Sequence, residues 1–164
     1  AHSRALTVFT NPLPNSYQRF GCDEAPRYVS WSRQNRSQLV RIPMVKGDNC
    51  RMELRSPDPA CNPYLAIGLV LAAGLDGIEH RMVLQPPVNK NLFRPGEAEG
   101  LGLEMLPATL EEAVAIAEES DFLHKVLPEE LSRRYFAEER ARCEALRAAA
   151  DPAEYERIHY FNAI

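Results

Sequence analysis

The sequence predicts an α+β fold in which short antiparallel strands occupy the first third of the chain and packed helices occupy the rest. Before residue 58, segments rich in β-branched and aromatic residues recur between polar turns, which is typical of strands. Farther along, capping residues and prolines precede apolar or mixed segments, as they do where helices begin. The length of 164 residues, with 45% apolar and 26% charged residues, fits one globular domain.

Residues 1–57 contain four predicted strands. A loop with two prolines follows the first strand, because proline cannot donate to a β-ladder. In the fourth strand, Arg51, Glu53 and Arg55 share one face, since side chains alternate along a strand. Met52 and Leu54 occupy the other face. The predicted strands are residues 6–9, 27–32, 39–42 and 51–55.

Residues 58–164 are predicted to be mainly helical. Asn62 as N-cap and Pro63 at the first helical position begin a helix that extends to about residue 78. This helix is apolar on nearly every side and must therefore be buried on most of them. Further helices are predicted to begin at Thr109, where Glu112 completes a capping box, and at Pro128. The strands are too few to cover the first helix, so we expect the chain to belong to a larger domain or to depend on partner subunits.

Charge is divided unevenly along the chain. The formal net charge is −4, yet residues 1–57 carry nine basic and four acidic residues, and eight of the basic ones are arginines. A guanidinium group binds phosphate or carboxylate through two parallel hydrogen bonds, so this part of the chain predicts an anionic ligand. Nucleic acid is not expected, because a glutamate lies among the arginines and the remainder of the chain is acidic.

Several other classes of protein are not expected from the sequence. The longest apolar run, residues 64–75, is shorter than the roughly 18–20 residues of a membrane-spanning helix, so no membrane segment is predicted. The first residues show no signal-peptide pattern, which favours a cytoplasmic protein. The four cysteines lack C-x-x-C spacing, so the sequence predicts neither a zinc ribbon nor a thioredoxin-type pair.

The predicted strand with Glu53 between two arginines is the strongest candidate for a functional site. Flanking guanidinium groups lower the pKa of a carboxyl group, and the ionised group would suit a hard divalent cation while the arginines hold phosphate oxygens. Arg36 and Arg41, on or before the neighbouring strand, are predicted to join the same face. Four arginines around one acid repel each other unless an anion is present. The alternative is an ion pair on a solvated sheet face, which stabilises little.

A second candidate is the acidic pair Asp23-Glu24, which follows Arg19 in a loop. A carboxylate on a mobile loop beside an anion site could bind ammonium or accept a proton. The alternative is an ordinary solvated turn.

Several motifs, in order, resemble the carboxyl-terminal half of the catalytic domain of glutamine synthetase, of the bacterial type I kind. The motifs are Asn15-Ser-Tyr-x-Arg19, Glu24-Ala-Pro26, Asn35-Arg-Ser37, Arg41-Ile-Pro43, Glu53-x-Arg55-x-Pro-Asp-Pro59, Asn62-Pro-Tyr64 and Ala73-Gly-Leu-Asp-Gly-Ile78. The segments Lys90-Asn-Leu92 and Leu110-Glu-Glu-Ala113 resemble the family more weakly.

The resemblance implies an ATP-dependent ligase. In such an enzyme the side-chain carboxylate of glutamate is phosphorylated to γ-glutamyl phosphate, and ammonia then displaces phosphate to give glutamine, with two Mg2+ or Mn2+ ions between nucleotide and glutamate. The resemblance assigns glutamate binding to Arg19 and Arg55, and ammonium collection and deprotonation to Glu24. By the same resemblance, Arg36 stabilises the transferring phosphoryl group, Arg41 and Arg51 contact nucleotide or phosphate, and Glu53 ligates the second metal.

The sequence also departs from the family pattern. The segment between Arg19 and Glu24 is one residue shorter, which makes Asp23 a rival for the role of Glu24, and Phe93 stands where many bacterial relatives carry an adenylylated tyrosine. The amino-terminal domain and most metal ligands of the family are missing, so the isolated chain is expected to be inactive. Family members form double-ring homo-oligomers, and the tail around Tyr160 resembles a segment that docks into a facing subunit. A γ-glutamyl–amine ligase and a non-catalytic assembly module remain as alternatives.

Overall fold

A computed structural model describes residues 1–22 and 24–161, and within them it contains six α-helices, two short 3-10 helices and one three-stranded sheet. The predicted α+β class is confirmed. The 3-10 helices are Pro14–Arg19 and Gly47–Asn49. The strands are β1 (Trp31–Ser32), β2 (Val40–Arg41) and β3 (Glu53–Leu54). The α-helices are α1 (Ser3–Thr10), α2 (Pro63–Glu79), α3 (Leu110–Glu118), α4 (Asp121–Val126), α5 (Glu129–Ala148) and α6 (Pro152–His159).

The strand predicted over residues 6–9 is wrong, because this segment lies in helix α1. Its apolar side chains, including Val8 and Phe9, are buried in the core between α1, α2, α3 and α5, and such tertiary packing outweighs the strand preference of β-branched residues. The hydroxyl groups of Thr7 and Thr10 donate to the carbonyls of Ser3 and Leu6, at 2.9 and 3.3 Å. These bonds satisfy two buried polar side chains within the helix.

The other three predicted strands are present but shorter, with two residues each. In the sheet order β1-β2-β3, β2 and β3 are antiparallel, whereas β1 and β2 are parallel, so the predicted antiparallel arrangement applies to one of the two pairings. Such short strands need no long crossover to run in the same direction. Ser30, directly before β1, still accepts from the amide of Val40 at 3.0 Å, whereas the amide of Val29 donates to the carbonyl of Glu104 at 2.8 Å. The strands lie within residues 1–57, as predicted.

The predicted helix starts agree with the structure. The side chain of Asn62 accepts hydrogen bonds from the amides of Tyr64 and Leu65 at the start of α2. Thr109 accepts from the amide of Glu112 at 3.1 Å, while Glu112 accepts from the amide of Ala108. Helices α4 and α6 were not predicted from the sequence. Ser120 and Asp151 are their N-cap residues. Serine and aspartate are preferred at N-caps, so both were usable sequence signals.

Helix α2 is much less covered than its composition requires. Within this chain only Ala66 and Leu69 of α2 are buried. Its exposed face includes five large apolar side chains, each between 60% and 88% exposed: Tyr64, Ile67, Leu71, Leu75 and Ile78. An exposed stripe of this kind is typical of an interaction surface, as expected if the helix packs against protein that lies outside this chain. Across the described residues, no helix is both long and apolar enough to cross a bilayer.

Candidate functional site

The antiparallel pairing of β2 and β3 places Arg41 directly opposite Glu53. One Glu53 carboxylate oxygen, Oε2, accepts a hydrogen bond from Arg41 Nη1 at 2.9 Å. The other, Oε1, lies 3.3 Å from Arg51 Nε and 3.1 Å from Arg51 Nη2. The hydrogen bond from Arg41, followed by the charges of Arg41 and Arg51, lowers the pKa of Glu53 below its ordinary value. The predicted direction of this shift is confirmed, but its main cause lies on the neighbouring strand.

Glu24 forms a second acidic centre. Arg55 Nη2 lies 3.4 Å from the Oε2 atom of Glu24 and 3.2 Å from its backbone oxygen. Arg36 Nη1 lies 3.6 Å from Glu24 Oε1. The backbone of Glu24 has a φ of +65°, a left-handed conformation that is uncommon outside glycine and asparagine. This geometry points the Glu24 carboxylate at two of the arginines that the sequence predicts to bind anions.

The prediction that four arginines converge on the single acid Glu53 is wrong. Arg41 and Arg51 contact Glu53, whereas Arg36 and Arg55 contact Glu24. Dividing the guanidinium groups between two carboxylates reduces the repulsion that four of them around one acid would suffer. The two centres are nevertheless neighbours, because Arg55 follows Glu53 by two residues, about 7 Å along an extended chain. Asp23, the rival to Glu24, lies outside the described residues.

The fifth predicted arginine, Arg19, lies at the end of the 3-10 helix Pro14–Arg19. Its Nη1 atom is 3.9 Å from Asp58 Oδ2, and the Asp58 side chain is only 6% exposed. Asp58 is fixed in turn by the hydrogen bond from its amide to the carbonyl of Thr10, at 3.1 Å. No role was predicted for Asp58 from the sequence. Its position as the only acid between β3 and α2 was a usable signal.

Several donors of these arginines lack hydrogen-bond partners. Three guanidinium nitrogens, Arg19 Nη1, Arg41 Nε and Arg55 Nε, are buried and have no hydrogen-bond partner in the described part of the chain. Buried donors are nearly always paired in folded proteins. The five arginines also outnumber Glu24, Glu53 and Asp58, which leaves two positive charges uncompensated among them. A phosphate or carboxylate group would compensate this excess positive charge.

The described residues do not assemble a complete metal centre. They contain no group of three or more His, Cys, Asp or Glu side chains arranged to hold a metal ion. Glu53 itself fits the role of a single ligand, because it is ionised and its side chain is 25% exposed. Magnesium and manganese favour several oxygen ligands, so a complete set of protein ligands would need residues from outside the described part of the chain.

Comparison with known proteins gives the family. The family model described as "Glutamine synthetase, catalytic domain" matches residues 1–158. This chain belongs to the glutamine synthetase family. It is 43% identical over 159 residues to glutamine synthetase of Methanosarcina mazei, an alignment that covers 95% of the chain and 36% of the relative. It is 37% identical over 162 residues to glutamine synthetase of Staphylococcus aureus strain MW2, which covers 97% and 36%.

Solved structures of this family share the fold. A structure titled as a complex of GmaS with ADP matches with a TM-score of 0.80 and 31% identity, over 99% of this chain and 37% of that one. A ligand-free GmaS structure matches with the same TM-score and 32% identity. The chain therefore spans about a third of the length of the glutamine synthetases it matches. It is a partial, carboxyl-terminal piece of the family's catalytic domain, as the sequence predicted.

Proposed function

We propose that this chain supplies the phosphate-binding side of an ATP-dependent ligase that makes glutamine from glutamate and ammonia through γ-glutamyl phosphate. The observation that supports this most directly is the excess of arginines, with three unpaired buried donors, over the acids Glu24, Glu53 and Asp58 that they contact. Phosphoryl transfer depends on cations held in place around the negative charge that develops in the transition state. A related protein, GmaS, is titled as a complex with ADP, which agrees with nucleotide binding.

In this proposal the two acidic centres have different tasks. Arg41 and Arg51 contact the nucleotide or its phosphates, and Glu53 would be one ligand of a Mg2+ or Mn2+ ion, which would supply positive charge to the phosphates when bound. Arg36 stabilises the transferring phosphoryl group, and Arg55 binds glutamate or phosphate. When substrate anions arrive, they take over Arg36 and Arg55 from Glu24, whose carboxylate becomes available to collect ammonium and accept its proton. Arg19, which lies near Asp58, binds glutamate.

The rest of the enzyme is part of the same proposal. The remaining metal ligands would come from the portion of the family's length that this chain does not span, so the isolated chain is expected to form no glutamine. We also propose that the complete enzyme is a homo-oligomer, a double ring as in its family, located in the cytoplasm.

A γ-glutamyl–amine ligase is the second candidate. It would use the same phosphate-binding arginines but accept an organic amine in place of ammonia. The matching GmaS structures favour it, since GmaS is a γ-glutamylmethylamide synthetase. The higher identity, 43% against 31%, to a protein named glutamine synthetase favours ammonia. A non-catalytic assembly module is the third reading, and it predicts that Glu53 is dispensable.

The test uses the full-length enzyme that carries this segment. Phosphate release is measured with ATP and glutamate, with ammonium or methylamine as acceptor. We expect turnover to depend on glutamate and to be faster with ammonium, and Glu53→Gln to lower it by at least a hundredfold. Glu130→Gln is the matched control, because Glu130 is also an acid bound by two arginines, Arg133 and Arg134, but lies on the surface of α5. Preference for methylamine would favour the γ-glutamyl–amine ligase. Full activity of Glu53→Gln would favour the non-catalytic assembly module.

A further inference from the structure

We propose that the residues flanking Arg36 (Asn35, Ser37 and Gln38) act, together with the segment 89–92, as positioning residues that hold Arg36 in place for the transferring phosphoryl group. The proposal rests on the proposed function, in which Arg36 has that task. Its basis is a set of long-range hydrogen bonds that join two segments more than fifty residues apart in the sequence.

The backbone carbonyl of Lys90 is the centre of this contact. It accepts hydrogen bonds from Asn35 Nδ2 at 2.6 Å and from Gln38 Nε2 at 2.9 Å, and Ser37 Oγ lies 3.3 Å from it. Residues on both sides of Arg36 are therefore tied to one point of the opposite segment. Such a point of attachment limits both translation and rotation of the turn that carries Arg36.

The hydroxyl group of Ser37 completes the connection from the other direction. Ser37 Oγ lies 2.9 Å from the amide of Leu92, which donates to it. Asn35 Oδ1 accepts from the amide and the hydroxyl of Ser37, at 2.9 and 2.8 Å. Ser37 and Gln38 are 1% and 0% exposed. Buried hydrogen bonds of this kind are costly to break, because a lost partner leaves a desolvated polar group behind.

The segment leading to residue 89 is itself attached to β1. The indole nitrogen of Trp31 donates to the carbonyl of Gln85 at 2.6 Å, and the amide of Val88 donates to the carbonyl of Trp31 at 2.9 Å. Ser32 Oγ lies 3.0 Å from Asn89 Oδ1. Although residues 85–107 contain no helix or strand, their first part is fixed to the sheet and can therefore serve as a rigid support.

Arg36 differs from its two neighbours in the chain. Its side chain is 62% exposed and extends to within 3.6 Å of Glu24, while the polar residues beside it are buried or half-buried. A guanidinium group on a long flexible side chain acts in catalysis only if its backbone is held to within a fraction of an ångström. The arrangement thus fixes the base of the side chain and leaves its charged end available to a ligand.

The decisive variant is Asn35→Asp in the full-length enzyme. The aspartate keeps the oxygen that accepts from Ser37 but replaces the donor to Lys90 with a second oxygen. We expect kcat to fall 10- to 100-fold, as a misplacement of about 1 Å does, while KM for glutamate changes less than twofold. Asn91→Asp is the matched control. It makes the same chemical change in the opposite segment, and the one side-chain hydrogen bond of Asn91 among the described residues, from the amide of Phe93, is to an oxygen that aspartate retains.

A double-mutant cycle separates positioning from a general structural role. If Asn35 acts through Arg36, Asn35→Asp will reduce kcat much less in an Arg36→Lys background than in the wild type. If Asn35 had only a structural role, Asn35→Asp would instead lower kcat by the same factor in both backgrounds. Ser37→Ala is the second variant, with the same expectation, and it is used if Asn35→Asp does not fold. Equal losses in the two backgrounds, or unfolding of both variants, would overturn the proposal.

The outcomes also distinguish this inference from the proposed function. If the wild type shows no glutamate-dependent phosphate release, or if Arg36→Lys retains full activity, the role assigned to Arg36 fails and the inference fails with it. If Arg36→Lys is impaired while Asn35→Asp has normal kcat, only the inference fails.

Discussion

A buried acid on α5, Glu139, is predicted to make the stability of this chain depend on pH. Glu139 is 3% exposed, and its Oε2 atom lies 3.3 Å from Arg142 Nε without forming a hydrogen bond. Burial outweighs the attraction of Arg142 and raises the pKa of Glu139 from 4.5 to about 7. The folded state therefore retains a proton that the unfolded state loses at lower pH.

The sign and size of the effect follow from this difference. Where the folded protein binds more protons than the unfolded chain, stability falls as pH rises. The loss begins near pH 4.5, where the unfolded group ionises, and ends above pH 7, where the folded group does. At about 1.4 kcal/mol for each pKa unit, full ionisation lowers the free energy of unfolding by about 3 kcal/mol. Between pH 5 and pH 8 the same relation gives about 2.5 kcal/mol.

The assay is urea denaturation of the wild type and Glu139→Gln at pH 5 and pH 8. Glutamine has the same shape and no charge. From pH 5 to pH 8, the free energy of unfolding of the variant is therefore expected to rise by about 2.5 kcal/mol relative to that of the wild type. The matched control is Glu138→Gln, since Glu138 also faces Arg142, at 3.3 Å, but its side chain is 73% exposed. A Glu139→Gln variant with the same pH dependence as the wild type would refute the reasoning.

Three further predictions concern other parts of the molecule. In the full-length enzyme, Asp58→Asn is expected to raise KM for glutamate more than KM for ATP, because Asp58 lies beside Arg19; an equal rise in both would contradict this. Leu71→Ala is expected to change the stability of this chain by less than about 0.5 kcal/mol, since Leu71 is 63% exposed. In the full-length enzyme the same change should cost about 2–5 kcal/mol by thermal or urea denaturation if α2 is covered there. The hydrogen bond from His2, at 2.7 Å, lowers the pKa of Asp76. The stability that ionised Asp76 contributes is therefore fully present above its unfolded-state pKa and is lost as pH falls through its folded-state pKa. Asp76→Asn should therefore flatten the acid limb of the stability profile, and an unchanged acid limb would contradict the assignment.

Local signals predicted the parts of this chain that depend on neighbouring residues. The start of α2 follows from Asn62 and Pro63, and the low pKa of Glu53 follows from nearby arginines, although Arg41 rather than Arg55 proved to be the partner. Pairing of this kind depends on strand register, which spacing along one strand does not reveal.

What the sequence did not predict depends on contacts between distant segments. The segment 6–9 has β-branched residues but packs as a helix, because α3 and α5 provide a surface for it. The proximity of Asp58 to Arg19 and the attachment of Asn35 to Lys90 join residues 39 and 55 positions apart in the sequence. No periodicity or motif encodes such contacts, although the polar residues involved are visible in the sequence.

The left-handed backbone at Glu24 has a consequence for directed evolution of this loop. In a saturation library at position 24, the backbone torsion angles would decide which variants fold well. The chemistry of the side chain would decide which of these are active. Glycine, asparagine and aspartate adopt a φ near +65° more readily than other residues, so they should be over-represented among well-expressed clones whether or not these are active. Substitutions at position 24 should therefore rank differently by expression than by turnover. The difference would measure how much expression the chain loses by having glutamate at a left-handed position.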